Sequence, residues 1–346
     1  MSYRPQADLD QVVRDRLLLR SVPGAVDYLF EDIRHLDVTV LRRRRDSLLI
    51  EYTGPLRALA GIRYFSSCAV FLGTEPEPAL AASRASGALA ALRPQGDLRF
   101  RSGEVEDRWE LTERLAATPG WANDPGSWDV NLEPDEEGTV AEIGALFLTQ
   151  RLGELHRMPA STNPLIAAVL VRLAKIEDGQ TVLDPFCGAG TLLVTAAEMA
   201  RPGLLVGTEL RQRWAELAEA NLAGRDLPGT VLRADAQAVP LAGDSVDRIV
   251  ANMPFGKRVG SHTANLDLYP AVLREVARLL RHNGRAVLFT DDKRLFKETV
   301  QRTPLLRVIK EIMLERGGLH PTAYVITKRG SARASARRAG SRYKMG

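Results

Sequence analysis

Asp184-Pro185-Phe186-Cys187-Gly188-Ala189-Gly190-Thr191 is the stretch that decides the fold. It follows a short apolar run, Thr181 to Asp184, and opens a segment, Gly190 to Ala200, that reads as a helix. Strand, glycine turn and helix form the first unit of an open α/β sheet, in which ligands bind at the carboxyl ends of the strands. The glycines let the backbone approach such a ligand. A Gly-x-Gly pair alone is weak evidence. A nicotinamide-cofactor fingerprint needs glycine or alanine three residues after the second glycine, where this chain has Leu193.

Downstream, strands and helices alternate. Leu204 to Thr208, Thr230 to Ala234, Val246 to Ala251 and Arg285 to Thr290 read as strands. Arg211 to Leu222, Asp267 to Arg281 and Asp292 to Arg302 read as helices. Two last strands, Leu305 to Leu314 and His320 to Thr327, flank the turn Glu315-Arg316-Gly317-Gly318. The alternation predicts a parallel sheet covered on both faces, with an antiparallel strand at or near one edge. Upstream, Asn163 as N-cap and Pro164 in the first turn start a helix and mark a domain boundary.

The front half reads as mixed α+β. Gln11 to Arg20, Gly24 to Ile33 and Gly54 to Leu59 fit either helix or strand. Val38 to Leu41 and Ser47 to Tyr52 suit a hairpin around Arg42-Arg43-Arg44-Arg45-Asp46. Gly73 to Pro78 and Pro119 to Asn131 read as loops. The expected domains are 1–150, a linker over 151–163, 164–329, and a disordered basic tail over 330–346.

Composition narrows the function classes. At 346 residues, 45% hydrophobic and 26% charged, the chain suits a globular protein of two or three domains. No run approaches the ~18 apolar residues of a membrane span, and the charged N-terminus is unlike a signal peptide. Two cysteines, Cys68 and Cys187, cannot build a disulfide framework or a thiolate metal site. A soluble, cytoplasmic protein without metal is expected. There are 47 Lys and Arg against 43 Asp and Glu, but seven of the bases lie from Lys328 onward with no acid among them. The body before that tail is slightly acidic, so bulk charge does not announce nucleic-acid binding.

Three further positions carry chemistry. Glu209 ends the second strand, 19 residues beyond Gly190, where an acid can bind ribose hydroxyls. Asp235 follows the third strand and is placed near an adenine amino group; each acid alone also suits a helix start. Asn252-Met253-Pro254-Phe255 follows the fourth strand. The lone pair of an aromatic amine is delocalised, which makes the amine hard to methylate. An Asn side-chain oxygen and the next backbone carbonyl can accept both amine hydrogens and steer that lone pair toward an electrophile. Proline stiffens the loop and an aromatic ring can stack on a flat base.

On these residues the back half resembles a class I S-adenosylmethionine-dependent methyltransferase. The longer string Asn252-Met253-Pro254-Phe255-Gly256-Lys257-Arg258-Val259-Gly260-Ser261, with Leu268-Tyr269-Pro270 behind it, is similar to the THUMP-domain RNA guanine-N2 methyltransferases, above all the tRNA position-six enzymes. In front, Val22-Pro23-Gly24, Phe100-Arg101, Trp128-Asp129-Val130-Asn131-Leu132 and Leu155-His156-Arg157 resemble pieces of the same family. One departure is plain: the first proline of the family's Pro-Pro loop is Met253, which keeps the carbonyl and loses rigidity.

The resemblance implies a Rossmann-like domain with a mainly parallel seven-stranded sheet, preceded by a ferredoxin-like plus THUMP α+β region. It implies S-adenosylmethionine held by Asp184, Phe186, Gly188, Gly190, Glu209, Asp235, Ala236 and Asn252. Asn252, Met253, Pro254 and Phe255 would be catalytic, and Lys257 and Arg258 would touch substrate RNA, with tRNA the first choice. Alternatives are an rRNA or DNA amino methyltransferase, a non-catalytic RNA-binding protein, or a nicotinamide-dependent oxidoreductase. Arg42 to Arg45 suit either phosphate contacts or a solvated hairpin tip. Cys187 reads as a packed small residue, His262 has no evident partner, and Asp291-Asp292 starts a helix.

Overall fold

The computed structural model describes residues 3–151, 155–159, 161–256, 261–315 and 317–329. Lys257, Arg258 and the tail 330–346 lie outside the described residues. The chain divides into two compact units, Met1–Glu154 and Leu155–Gly346.

The first unit starts as β1 (Val12–Arg20), α1 (Val26–Ile33), β2 (Val38–Arg43), β3 (Ser47–Pro55), α2 (Leu56–Ala60) and β4 (Ser67–Gly73). These strands pair antiparallel in the order β4-β1-β3-β2, which is ferredoxin-like connectivity. Gln11 to Arg20 is thus a strand. Its second half, Leu17-Leu18-Leu19, is buried on both faces, so it shows no alternation by which to recognise it. Next come α3 (Pro76–Ser86), β5 (Leu98–Ser102), α4 (Arg108–Ala116), β6 (Trp121–Asn123), β7 (Val130–Asp135), β8 (Gly138–Ile143) and α5 (Leu148–Arg151). β8 pairs with β4, so all eight strands form one sheet.

Two loop expectations need correction. Pro76 opens α3, because proline is tolerated in a helix's first turn. Pro119 to Asn131 contains β6, held beside β5 in parallel and by Trp121 meeting Phe100 edge-on at 5.9 Å. Three members of the arginine run meet carboxylates. The Arg44 guanidinium grips both oxygens of Asp135 at 2.7 and 2.9 Å and Glu137 at 2.9 Å, while Arg43 pairs with Asp27 and Arg42 with Glu137. These three cations are neutralised inside their own unit.

The second unit begins with α6 (Pro164–Ala174). Asn163 Oδ1 accepts from the N–H groups of Leu165 and Ile166, as a capping residue should. There follow β9 (Thr181–Asp184), α7 (Thr191–Met199), β10 (Leu204–Glu209), α8 (Gln212–Ala223), β11 (Thr230–Arg233), β12 (Val246–Asn252), α9 (His262–Leu279), β13 (Leu280–Thr290), α10 (Lys293–Gln301), β14 (Leu306–Met313) and β15 (Thr322–Lys328). The sheet order is β11-β10-β9-β12-β13-β15-β14, with β15 the antiparallel strand, one place in from the edge. Side chains alternate across it. Val182 and Leu205 join a core with α6, α7 and α8, whereas Leu183 and Val206 join one with α9 and α10.

Two boundaries differ from the sequence reading. α9 starts at His262 and not Asp267, because Ser261 Oγ accepts the N–H of Ala264 and extends the helix ahead of Pro270. β13 starts at Leu280 and not Arg285; the exposed Arg281-His282-Asn283 carries no apolar pattern that would mark a strand.

Candidate active site

The parallel strands place four chemistry-bearing segments along one carboxyl edge. Asp184 pairs with Gly207, two residues before Glu209; Glu209 pairs with Arg233, two before Asp235. On the other side Leu183 pairs with Ile249, three before Asn252. The topology alone therefore collects Asp184, Glu209, Asp235 and Asn252 at that edge.

The loop after β9 is built for a tight approach. Gly188 and Gly190 both have left-handed φ, +52° and +80°. A side chain at Gly188 would meet the Met158 sulfur at 3.0 Å, and one at Gly190 would meet Ala218 at 3.3 Å. The loop is pinned to β10, because Cys187 N–H donates to Thr208 O at 3.0 Å and the Thr208 hydroxyl donates to Pro185 O at 3.0 Å. Cys187 is buried against Gly207, and burial pushes its thiol pKa up, so it is a packing residue and not a nucleophile. Leu193, where a dinucleotide fingerprint has a small residue, is buried in the core beside Gly207.

The acids differ from one another. Asp184 is fully buried, and its carboxyl is pushed up to about 8, chiefly by burial. The Phe186 N–H, 3.0 Å away, pulls it back, and the negative charge of Glu209 raises it further. Near neutral pH Asp184 is therefore mostly the uncharged acid, and the negative charge at this edge is carried by Glu209. Glu209 is half-buried and fixed by the Arg211 N–H at 3.0 Å. A carboxylate has about four acceptor positions, so it retains capacity for hydroxyl donors. Asp235 is committed more locally, accepting from Gln237 N–H at 2.9 Å and from the Gln237 side chain at 3.2 Å. Phe186 packs partly on the core. Ala236 also points its methyl into that core, which leaves its backbone as the part able to meet a ligand.

The catalytic-loop candidates are held from behind. Asn252 Nδ2 donates to Thr162 Oγ1 at 3.0 Å, while Asn252 Oδ1 is buried with no hydrogen-bond partner. Met253 buries its side chain in the core, and its N–H donates to Phe289 O at 2.9 Å. A proline at this position could not make that bond. Core packing and an extra ladder bond thus supply the rigidity that the missing proline would otherwise give. The Pro254 carbonyl accepts from Tyr269 OH at 2.7 Å and Asn265 Nδ2 at 3.2 Å. The Thr290 hydroxyl lies 2.6 Å from Tyr269 OH and accepts the N–H of Asp292. Phe255 meets Phe289 edge-on at 5.7 Å. His262, unpartnered in the sequence reading, lies with Nδ1 2.8 Å from Asp292 Oδ2.

Sequence reasoning missed Thr162, Asn221, Asn265, Tyr269 and Thr290 as supports. Asn221 shows the pattern. It is buried on α8, accepts the N–H of His156, and donates to the carbonyls of His156 and Ala189. Its single signal is a polar residue on a helix's buried face. Among the described residues, no group of three or more His, Cys, Asp and Glu could hold a metal ion. No described helix is long and apolar enough to cross a membrane.

Residues 154–322 match the RMKL-like methyltransferase domain model, UPF0020. The chain is 33% identical over 242 residues to the tRNA (guanine(6)-N2)-methyltransferase of Thermus thermophilus, covering 68% of this chain and 71% of that protein. The chain belongs to the tRNA (guanine(6)-N2)-methyltransferase family. The structure of TrmN from Thermus thermophilus aligns with a TM-score of 0.69 at 26% identity, covering 91% of this chain and 99% of that one. The bovine family member, tRNA (guanine(6)-N(2))-methyltransferase THUMP3, is 28% identical over 226 residues, and the match covers 60% of this chain but 45% of that protein. Matches to a mouse U6 snRNA (guanine-N(2))-methyltransferase, THUMPD2, reach 28% identity over 176 residues.

Proposed function

We propose that this chain is an S-adenosylmethionine-dependent RNA methyltransferase that forms N2-methylguanosine in tRNA, acting in the cytoplasm. The observation that carries the reading is the unpartnered, buried Oδ1 of Asn252 at the carboxyl edge of β12. A buried acceptor without a donor is destabilising by about 1–3 kcal/mol, so its persistence points to a donor that arrives with substrate.

The chain's residues fit the cofactor. The left-handed glycines Gly188 and Gly190 turn the backbone tightly at the carboxyl end of β9, the charge of Glu209 favours a cation, and Glu209 keeps free acceptor capacity for ribose hydroxyls. Bound S-adenosylmethionine supplies an activated methyl group. The rest is positioning. Asn252 Oδ1 and the Met253 carbonyl accept the two amine hydrogens, leaving the lone pair directed at the methyl. Phe255, braced by Phe289, stacks on the base. A paired guanine must first flip out, which costs a few kcal/mol. The front unit, read as ferredoxin-like plus THUMP, grips RNA by shape; Lys257 and Arg258 would add phosphate or base contacts. That relatives are named for tRNA and U6 snRNA supports an RNA substrate.

Incubation with labelled methyl donor and separate tRNA, rRNA and DNA pools tests the polymer. Label is expected in tRNA. Label confined to rRNA or DNA would replace tRNA as the substrate, and none in any pool would contradict the activity.

A further inference from the structure

The segment expected as a plain linker, 151–163, includes residues that run across the proposed site. His156 is tied to Asn221, which also holds the glycine loop through Ala189 O. Met158 places its sulfur over Gly188, and Met158 and Ser161 share two hydrogen bonds, Met158 N–H to Ser161 Oγ at 2.9 Å and Ser161 N–H to Met158 O at 3.1 Å. Thr162 follows, with its hydroxyl 3.0 Å from Asn252 Nδ2. Immediately after it, the capped start of α6 fixes the backbone, since Asn163 and Pro164 begin a helix that is buried along nearly its whole length.

Resting on the proposed amine methylation, we propose that Thr162 is a positioning residue that aims the Asn252 carbonyl oxygen at the substrate amine. An Asn amide carries its donor and acceptor on opposite edges, and rotation by half a turn exchanges them. With Oδ1 toward the site, the group can accept from an amine. With Nδ2 toward the site, two N–H groups face two amine hydrogens and the substrate is repelled. The Thr162 hydroxyl holds the plane of the amide by accepting from Nδ2. A substrate amine selects the same sense, because only that orientation gives every donor an acceptor. Without the hydroxyl, Nδ2 loses its partner, the amide turns about its last torsion, and the acceptor is no longer held where the lone pair must be steered. Thr162 acts through Asn252 and touches no reacting atom.

The test is a double-mutant cycle in the full chain with single-turnover kinetics on tRNA. Thr162→Val, which keeps the shape and removes the hydroxyl, is expected to lower kcat by about 10- to 100-fold, the size of effect that a misplaced group produces. Affinity for S-adenosylmethionine and KM for tRNA should stay unchanged. Thr162→Ser should restore most of the rate. In an Asn252→Ala background, Thr162→Val should add no further loss, because the group it positions is gone. A folded Thr162→Val protein with wild-type kcat, while Asn252→Ala is impaired, overturns the Thr162 assignment alone. Losses that multiply in the double mutant also overturn it. Full turnover by Asn252→Ala would remove the amine-holding role of Asn252, and the Thr162 assignment with it.

Discussion

Asn252→Ala is expected to retain S-adenosylmethionine through the other cofactor residues and to lose turnover by about 10²- to 10³-fold, the range typical of deleting one preorganised polar group that acts in a transition state. The argument starts from the backbone. β12 ends at Asn252, and the next N–H, that of Met253, continues the bonding to β13 through Phe289 O, so the peptide at this point is fixed. The side chain is fixed as well, through Thr162. Only its oxygen lacks a partner. Truncation to alanine removes that oxygen while leaving β12, the glycine loop and Glu209 in place, so the defect should fall on the chemical step. Asn252→Asp keeps an acceptor oxygen and should lose less. Isothermal titration of the cofactor together with single-turnover rates separates binding from chemistry. An alanine variant with unchanged rate would show that the amine is not held there.

Glu209→Ala is expected to weaken S-adenosylmethionine binding about 10- to 100-fold, since hydrogen bonds to a charged acceptor contribute about 1.5–3 kcal/mol. Glu209 is the last residue of β10, and the Arg211 N–H fixes one of its oxygens. It stands at the carboxyl edge of the sheet, and its charge acts on the buried Asp184. Removing its charge also lowers the negative potential that favours a cationic cofactor. Titration calorimetry on a folded variant checks this, and an unchanged affinity would remove the ribose role from Glu209.

The legible parts of the chain were those where one local pattern had one structural meaning. Apolar runs such as Thr181–Asp184 and Val246–Asn252, separated by helical segments, could hardly be other than strands of a covered parallel sheet. The glycine pair and the acids that follow successive strands were visible for the same reason, because strand ends determine where a loop lies. Less legible was whatever depends on partners distant in sequence. His262 gained meaning only from Asp292, thirty residues on, and Thr162 only from Asn252, ninety residues on. Arg44 looked available for phosphate until folding brought Asp135 and Glu137 to it. β6 is three residues long and is marked by its pairing with β5, which leaves no periodicity to read. Met253 shows the converse. As a sequence departure it weakened the loop, yet its N–H makes a bond that proline would forbid and its side chain fills the core.

The central claim, that two acceptors hold an exocyclic amine of guanine, is tested most directly by the nucleoside produced. A ring nitrogen such as guanine N1 bears one proton, and a base that removes it assists methylation there. An exocyclic amine has two hydrogens, matching the Asn252 oxygen and the Met253 carbonyl without calling for a strong base. The measurement is nuclease digestion of tRNA methylated by the purified chain, followed by mass spectrometry of the nucleosides. N2-methylguanosine as the main product is the result this account predicts; N1-methylguanosine as the main product would contradict it.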